Sequence, residues 1–277
     1  MSATSPTLVL VGCGKMGGAL LAGWIAAGRV SAAAPAFVVE PSAASTAAFQ
    51  GNPAVTIVAT AAELPATLSP SVVVFAVKPQ GMENVVPAYR RFTRPGTVFL
   101  SIAAGKTLGF LANHLGAEAA AVRSMPNTPA AIGRGITVAC ANRPATATQR
   151  AECEALLAAV GEVAWVDDEA LLDPVTAVSG SGPAYVFLLA ECLEEAGVAA
   201  GLPPDLAARL ARATVAGSGE LLQRSTDAAD QLRRNVTSPN GTTAAALEVL
   251  MAKEGGLQGL LTRAVAAASK RSRDLAG

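Results

Sequence analysis

The stretch that most constrains this chain is Leu8-Val9-Leu10-Val11-Gly12-Cys13-Gly14-Lys15-Met16-Gly17-Gly18-Ala19-Leu20, an apolar run broken by glycines and resumed by small and apolar residues. It reads as a strand, a tight turn and the start of a helix. Gly12, Gly14 and Gly17 stand in the G-x-G-x-x-G spacing. The first glycine lets the turn close, the second lets backbone approach a pyrophosphate, and the third lets the helix sit close to its strand. The unpaired N–H groups of the helix's first turn then face the phosphates. The stretch reads as a dinucleotide site; the plain alternative is a structural glycine turn.

A length of 277 residues allows about two domains. Lys plus Arg equals Asp plus Glu at 21 each, so there is no electrostatic footprint for nucleic acid or an acidic membrane surface. A small-molecule partner is expected, with no nucleic acid and no membrane. Hydrophobic residues make up 51% of the chain and aromatics only 4%, so the cores must be built from Ala, Val and Leu. Such Ala-rich helices pack at short distances, often against partner subunits. Cys13, Cys140, Cys153 and Cys192 form no C-x-x-C, which points to reduced thiols and a cytoplasmic location. No leader-like segment and no long uninterrupted apolar run is apparent. His114 is the lone histidine; it reads as an ordinary helix residue, and no metal site is expected.

After a first helix expected to end near Gly28, residues 36–40 read as a second strand whose last residue is Glu40, about twenty positions beyond Gly17. A carboxylate here hydrogen-bonds the adenosine ribose, and its charge repels a 2′-phosphate, so Glu40 leans towards NADH. The competing reading turns Glu40 to solvent and gives a 2′-phosphate to Ser42 and backbone groups, although no arginine lies in the adjacent loop. Further strands are expected at 55–58, 71–77, 97–102, 121–125, 135–140 and 162–166, with a helix over 148–160. The fourth strand stops at Lys78-Pro79, the fifth runs into Ala103-Ala104-Gly105, which permits close approach of a flat ring, and the sixth is followed by the rigid Pro126-Asn127-Thr128-Pro129. Strands alternating with helices specify a doubly wound α/β sheet.

Beyond Asp168 strand signals stop. A short helix over 168–178, a turn at Ser179-Gly180-Ser181-Gly182 and a helix opened by Pro183 are expected. The helix over 183–200 is apolar nearly all round until Glu191 and must be buried. In a domain this small, its cover is expected from a second subunit. A helix follows over 205–224; residues 227–234 lead into the segment 236–243, and helices run from there to about 254 and over 257–273. Ser238-Pro239-Asn240-Gly241-Thr242-Thr243 places hydroxyls and turn formers directly before an Ala/Leu helix. Its hydroxyls and free helix amides suit a carboxylate, and Thr242 or Thr243 serving as an ordinary N-cap is the alternative.

Six blocks together resemble the pyrroline-5-carboxylate reductases, in that family's order over nearly the whole chain: the Gly12 to Gly17 turn, Ala76-Val77-Lys78-Pro79, Ser101-Ile102-Ala103-Ala104-Gly105, Arg123-Ser124-Met125-Pro126-Asn127-Thr128-Pro129, Ser179-Gly180-Ser181-Gly182-Pro183-Ala184-Tyr185, and residues 236–243. The resemblance implies reduction of 1-pyrroline-5-carboxylate to L-proline by NADPH or NADH, the last step of proline biosynthesis. It implies a Rossmann-type doubly wound sheet (residues 1–166) followed by an all-helical substrate-binding and dimerisation domain (167–277). It places the cofactor on Gly12, Cys13, Gly14, Lys15, Met16, Gly17, Ser42, Ala76, Val77, Lys78, Pro79, Ile102, Ala103 and Ala104, with Glu40 beside them. It places the substrate on Asn235, Ser238, Gly241, Thr242 and Thr243, with the Thr243 hydroxyl near the ring nitrogen, so Ser238 and Thr243 are the catalytic candidates. It also implies a homodimer, each site built from two subunits, that often assembles into decamers. Asn240 stands where the family loop commonly has glycine, and Thr226 where some relatives carry glutamate, so no role is assigned to Thr226. Two rivals remain: a β-hydroxyacid dehydrogenase, which would need a lysine that the helix over 183–200 lacks, and a silent dinucleotide-binding regulator.

Overall fold

A computed structural model describes residues 7–276 of the chain. The first half threads β1 (Leu8–Val11), α1 (Lys15–Ala26), β2 (Ala36–Val39), α2 (Ala43–Thr46), β3 (Val55–Val58), β4 (Val72–Phe75), α3 (Met82–Val85), β5 (Val98–Ser101), α4 (Leu108–Leu115), β6 (Ala120–Met125), β7 (Gly135–Ala141), α5 (Ala147–Leu157) and β8 (Gly161–Trp165). Every residue of β1, β4 and β5 is buried, as expected of parallel strands covered on both faces. Alternate residues go to opposite layers: Leu8 and Leu10 join α1 and α5 in one core, while Val9 and Val11 join Phe75, Phe99 and Tyr89 in the other. Trp24 ties α1 to α5 by donating its indole N–H to the Leu156 carbonyl at 2.9 Å.

Among the described residues eight strands form one sheet in the order β3-β2-β1-β4-β5-β6-β7-β8. The order reverses at β1, so the crevice for a ligand opens at the carboxyl ends of β1 and β4. β7 departs from pure parallel winding and pairs antiparallel with β6. Only the short Pro126 to Arg134 connection joins them, too short for the crossover that a parallel partner needs. The α4 and α5 helices start where side chains supply caps: Thr107 Oγ1 accepts from Phe110 N–H at 3.0 Å, and Thr146 with Gln149 forms a reciprocal capping box.

After β8 come α6 (Leu172–Val175), a π-helical turn over Thr176–Gly180, α7 (Gly182–Ala199), α8 (Pro204–Arg224), α9 (Ala229–Asn235), α10 (Thr242–Leu250) and α11 (Leu257–Ala276). Two compact units result. One runs through Gly180 and takes in the residues from Ala268 onward; the other is Ser181–Ala267. The strand-bearing stretch does end near residue 166, but the segment through Gly180 and the end of α11 pack with the sheet. Ser272 Oγ donates to Asp173 Oδ1 at 2.7 Å, and Gly105, at φ +72°, lies close against Leu275.

The turn expected at Ser179-Gly180 is instead helical. Thr176 and Ser179 hydroxyls donate back to the Leu172 and Val175 carbonyls at 2.7 and 3.1 Å, and the π register delivers Gly180 against Met125. In the helical unit, α7 and α8 pack through small residues: a Cβ on Gly197 would lie 3.2 Å from Ala207 Cβ. No residue of α7 is buried within one protomer. Among the described residues no helix is long and apolar enough to cross a membrane.

Candidate active site

The three glycines of the first turn do different work. Gly12 adopts φ +91°, and a Cβ there would stand 2.9 Å from the Ala76 carbonyl group. A Cβ on Gly17 would run into the Gly12 oxygen. Both glycines are therefore required by the packing of α1 against β1 and β4. A Cβ on Gly14 would meet nothing within 4 Å. Gly14 is open space that the protein does not fill, and no side chain caps α1, so its first-turn N–H groups stay available to phosphate oxygens. That arrangement fits a pyrophosphate.

Two cavities meet at this point, sharing Gly14, Ala76, Val77 and Lys78 as a common wall. The first, about 540 Å³, extends over β2 and β3 past Glu40, Pro41, Ser45 and Thr60. The second, about 690 Å³, extends over β5 and β6 past Lys15, Met16, Pro79, Ile102, Ala103 and Ala104. A dinucleotide draped over the glycine turn would put one nucleoside in each.

Glu40 lines the first cavity. Its Oε2 accepts from Cys13 N–H at 2.8 Å and its Oε1 from Ser42 N–H at 2.9 Å. The carboxylate is thus turned onto the glycine loop rather than out to solvent, and Ser42, whose hydroxyl does not line the cavity, contributes its amide to holding Glu40. Each carboxylate oxygen retains a lone pair for a ribose hydroxyl. Burial first, and the Glu40 charge second, push the Cys13 thiol up to about 11. The thiol therefore stays neutral beside the glycine turn. Cys13 and Gly17 shape the cradle from behind and do not line either cavity.

The second cavity has a wall that residue-by-residue reading of the motifs did not assign: Met125, Pro126, Asn127, Thr128 and Gly180. The signal was present in the proline-bounded loop after β6, but Gly180 needed the π turn to bring it there. A Cβ at Gly180 would lie 2.5 Å from Met125 Cε, so that glycine is required by the packing of the wall. Behind it, Arg123 donates to Glu169 Oε1 at 2.9 Å, and the same oxygen accepts from Leu108 N–H at 2.8 Å. His114 lies outside both cavities, its Nδ1 2.9 Å from the Phe110 carbonyl within α4. Among the described residues no cluster of His, Cys, Asp and Glu suits a metal ion.

In the helical unit, α9 ends at Asn235 and the chain turns through Val236 to Gly241 into α10. Asn235 Oδ1 accepts from Gln231 Nε2 at 2.7 Å, which leaves its Nδ2 donors free to face a ligand. Asn240 takes the left-handed conformation, φ 58°, so the turn survives a residue other than glycine. Gly241 N–H donates to the Ser238 carbonyl at 3.1 Å, and the Ser238 hydroxyl packs where a Gly241 side chain would go. The N-cap of α10 is Gly241, without a side-chain hydrogen bond. Neither Thr242 nor Thr243 is spent as a cap, and both stand on an open helix start.

Residues 169–275 match the family model described as pyrroline-5-carboxylate reductase dimerisation, and residues 7–105 match one described as NADP oxidoreductase, coenzyme F420-dependent. The chain is 40% identical to a pyrroline-5-carboxylate reductase of Pseudomonas aeruginosa, over 99% of this chain and 98% of that protein. It is 39% identical to one of Mycobacterium tuberculosis, over 97% and 96% respectively. Among solved structures, a pyrroline-5-carboxylate reductase of Coxiella burnetii superposes with a TM-score of 0.88 at 32% identity, covering 99% of each chain. A pyrroline carboxylate reductase of Plasmodium falciparum with NADP bound superposes with a TM-score of 0.81 at 29% identity, covering 100% of each.

Proposed function

The chain belongs to the pyrroline-5-carboxylate reductase family, and from that premise we propose how its residues share the reduction of 1-pyrroline-5-carboxylate to L-proline. The enzyme is an NAD(P)H-dependent oxidoreductase. When bound, the reduced nicotinamide supplies a hydride to the carbon of the C=N bond. A cyclic imine protonated on nitrogen is already electrophilic at that carbon, and its nitrogen already carries the proton that the product amine keeps. The protein is left with orientation and fixed dipoles as its main contributions. A substrate loop without histidine or carboxylic acid is adequate to that task.

The observation that carries the assignment of roles is the uncapped start of α10, with Thr242 and Thr243 on its first turn and Ser238 packed over Gly241. In our reading the first-turn amides and the Ser238 hydroxyl donate to the substrate carboxylate, as helix N-termini do to anions. The Thr243 hydroxyl oxygen accepts from the iminium N–H, and Asn235 Nδ2 assists from the end of α9. Thr243→Ala should lower turnover by about tenfold to a thousandfold, the range for losing one transition-state contact. Thr243→Ser should retain most of it. Reduced-cofactor oxidation with 1-pyrroline-5-carboxylate measures both, and an unimpaired Thr243→Ala enzyme with an unchanged melting curve would sink the role.

The cofactor reading goes one step finer: NADH is preferred over NADPH. Glu40 supports this, because its carboxylate holds the amide of Ser42 that a 2′-phosphate would otherwise use, and no Lys or Arg occurs between Pro41 and Val77. Residues 1–166 act as the dinucleotide-binding domain, and 167–277 as the substrate-binding and dimerisation domain. The chain forms homo-oligomers through its dimerisation segment, and we extend this to dimers that assemble into a decamer in the cytoplasm, where its free thiols remain reduced.

A further inference from the structure

Asn127 holds a donor that no other group among the described residues uses. It stands just past β6, and its Oδ1 accepts from the Ile136 N–H of β7 at 3.0 Å. A backbone N–H can only donate, so this bond fixes the amide: oxygen towards β7, Nδ2 away from it. Asn127 also lines the 690 Å³ cavity with Ile102, Ala103, Ala104 and Met125. Among the described residues Nδ2 meets no acceptor, and no side-chain nitrogen is both buried and unpaired, so Nδ2 opens onto accessible space. Pro126 and Pro129 bracket the residue, and fixed φ at both keeps the loop stiff.

The order of strand ends assigns what reaches it. From the glycine turn at β1, the sheet edge passes β4 and β5 to β6, three spacings or roughly 14 Å. The pyrophosphate belongs at Gly14, and the nicotinamide half lies over β4 and β5 towards β6. Lys15 and Lys78 line the cavity beside the turn, where their charges suit phosphates; Thr128 is exposed at the rim. A nicotinamide ring lying against Ile102, Ala103, Ala104 and Met125 has one polar substituent, a carboxamide whose oxygen needs a donor. We propose that Asn127 Nδ2 donates to that carboxamide oxygen and so fixes the rotation of the ring, and with it the face turned to the imine. This rests on reading the second cavity as the nicotinamide site.

The test compares two ligands on the full-length protein by calorimetry: NADH, and ADP-ribose, which lacks the nicotinamide. Asn127→Asp keeps an oxygen for the Ile136 N–H and removes the donor. It should melt with the unmodified protein and bind ADP-ribose equally well, while NADH binds about tenfold more weakly; Asn127→Ala should weaken NADH similarly. NADH affinity unchanged in Asn127→Asp would overturn the proposal. Equal weakening of both ligands would overturn it too, by showing an effect on the whole cradle. If the unmodified protein bound neither ligand, the preference for NADH would fall, an outcome distinct from either of these, and the same comparison made with NADPH and 2′-phospho-ADP-ribose would then decide the role of Asn127 by the same two results.

Discussion

Gly14 and Glu40 are the residues where packing and function separate most cleanly. Gly12 and Gly17 are glycines because α1, β1 and β4 leave no room for a Cβ, whereas Gly14 faces open space at an ordinary backbone angle, φ −68°. Gly14→Ala should therefore leave the melting temperature essentially unchanged while weakening dinucleotide binding at least tenfold, because the methyl group would occupy the pyrophosphate's approach. Equal losses of stability and affinity would show that Gly14 is a packing glycine after all. Glu40→Gln removes the charge but keeps an acceptor for Cys13 N–H. The ratio of kcat/KM for NADPH to that for NADH should rise by about tenfold, since a like charge no longer opposes the 2′-phosphate. A ratio unmoved by the substitution would mean that the carboxylate only braces the loop. The G-x-G-x-x-G spacing and Glu40 were legible in the sequence, but the direction of the carboxylate was not. It depends on two amides, Cys13 and Ser42, brought together by the β1 and β2 pairing.

At the scale of elements, the alternating apolar runs were sufficient to find all eight strands among the described residues. Local pattern could not reveal that β7 runs antiparallel, which follows from connection length, or that Ser179-Gly180 continues a helix. A glycine beside serines is ordinary turn composition; the π register wins because it seats Gly180 against Met125. The segment after β8 is anchored to the sheet by the Arg123–Glu169 pair, with side chains 6% and 28% exposed. Removing one partner of such a pair leaves a charge poorly solvated. Glu169→Gln should cost about 3 kcal/mol, the lower end of the range for buried pairs because Glu169 retains some solvent. Denaturant unfolding measures it, and a loss below about 0.5 kcal/mol, typical of surface pairs, would refute the anchoring role.

For the molecule as a whole, the exposed helices carry the consequence. Phe187 and Leu188 on α7 are 62% and 57% exposed in one protomer, and Val249 on α10 is 73% exposed. The run of exposed apolar side chains on α7 suits a protein interface, and the dimerisation family match over residues 169–275 accounts for it. Leu188→Arg should shift the protein to smaller assemblies in sedimentation velocity and make its melting temperature fall on dilution. If that charge left the assembly intact, the α7 face would not be part of the subunit contact.

What the sequence determined by itself was local or periodic: the strand–turn–helix at Gly12 to Gly17, the apolar strand pattern, the all-round apolar helix at Pro183, and the hydroxyl-rich loop before α10. Each is set by side chains within a few positions of one another, through backbone sterics and burial of one face or of all. Only the tertiary structure decided what depends on contact between distant segments. It turned Glu40 inward, left Gly14 open while filling the space at Gly12 and Gly17, and brought Met125, Asn127 and Gly180 into one wall. Those outcomes depend on excluded volume and on hydrogen bonds between segments far apart in the chain, which residue order alone does not specify.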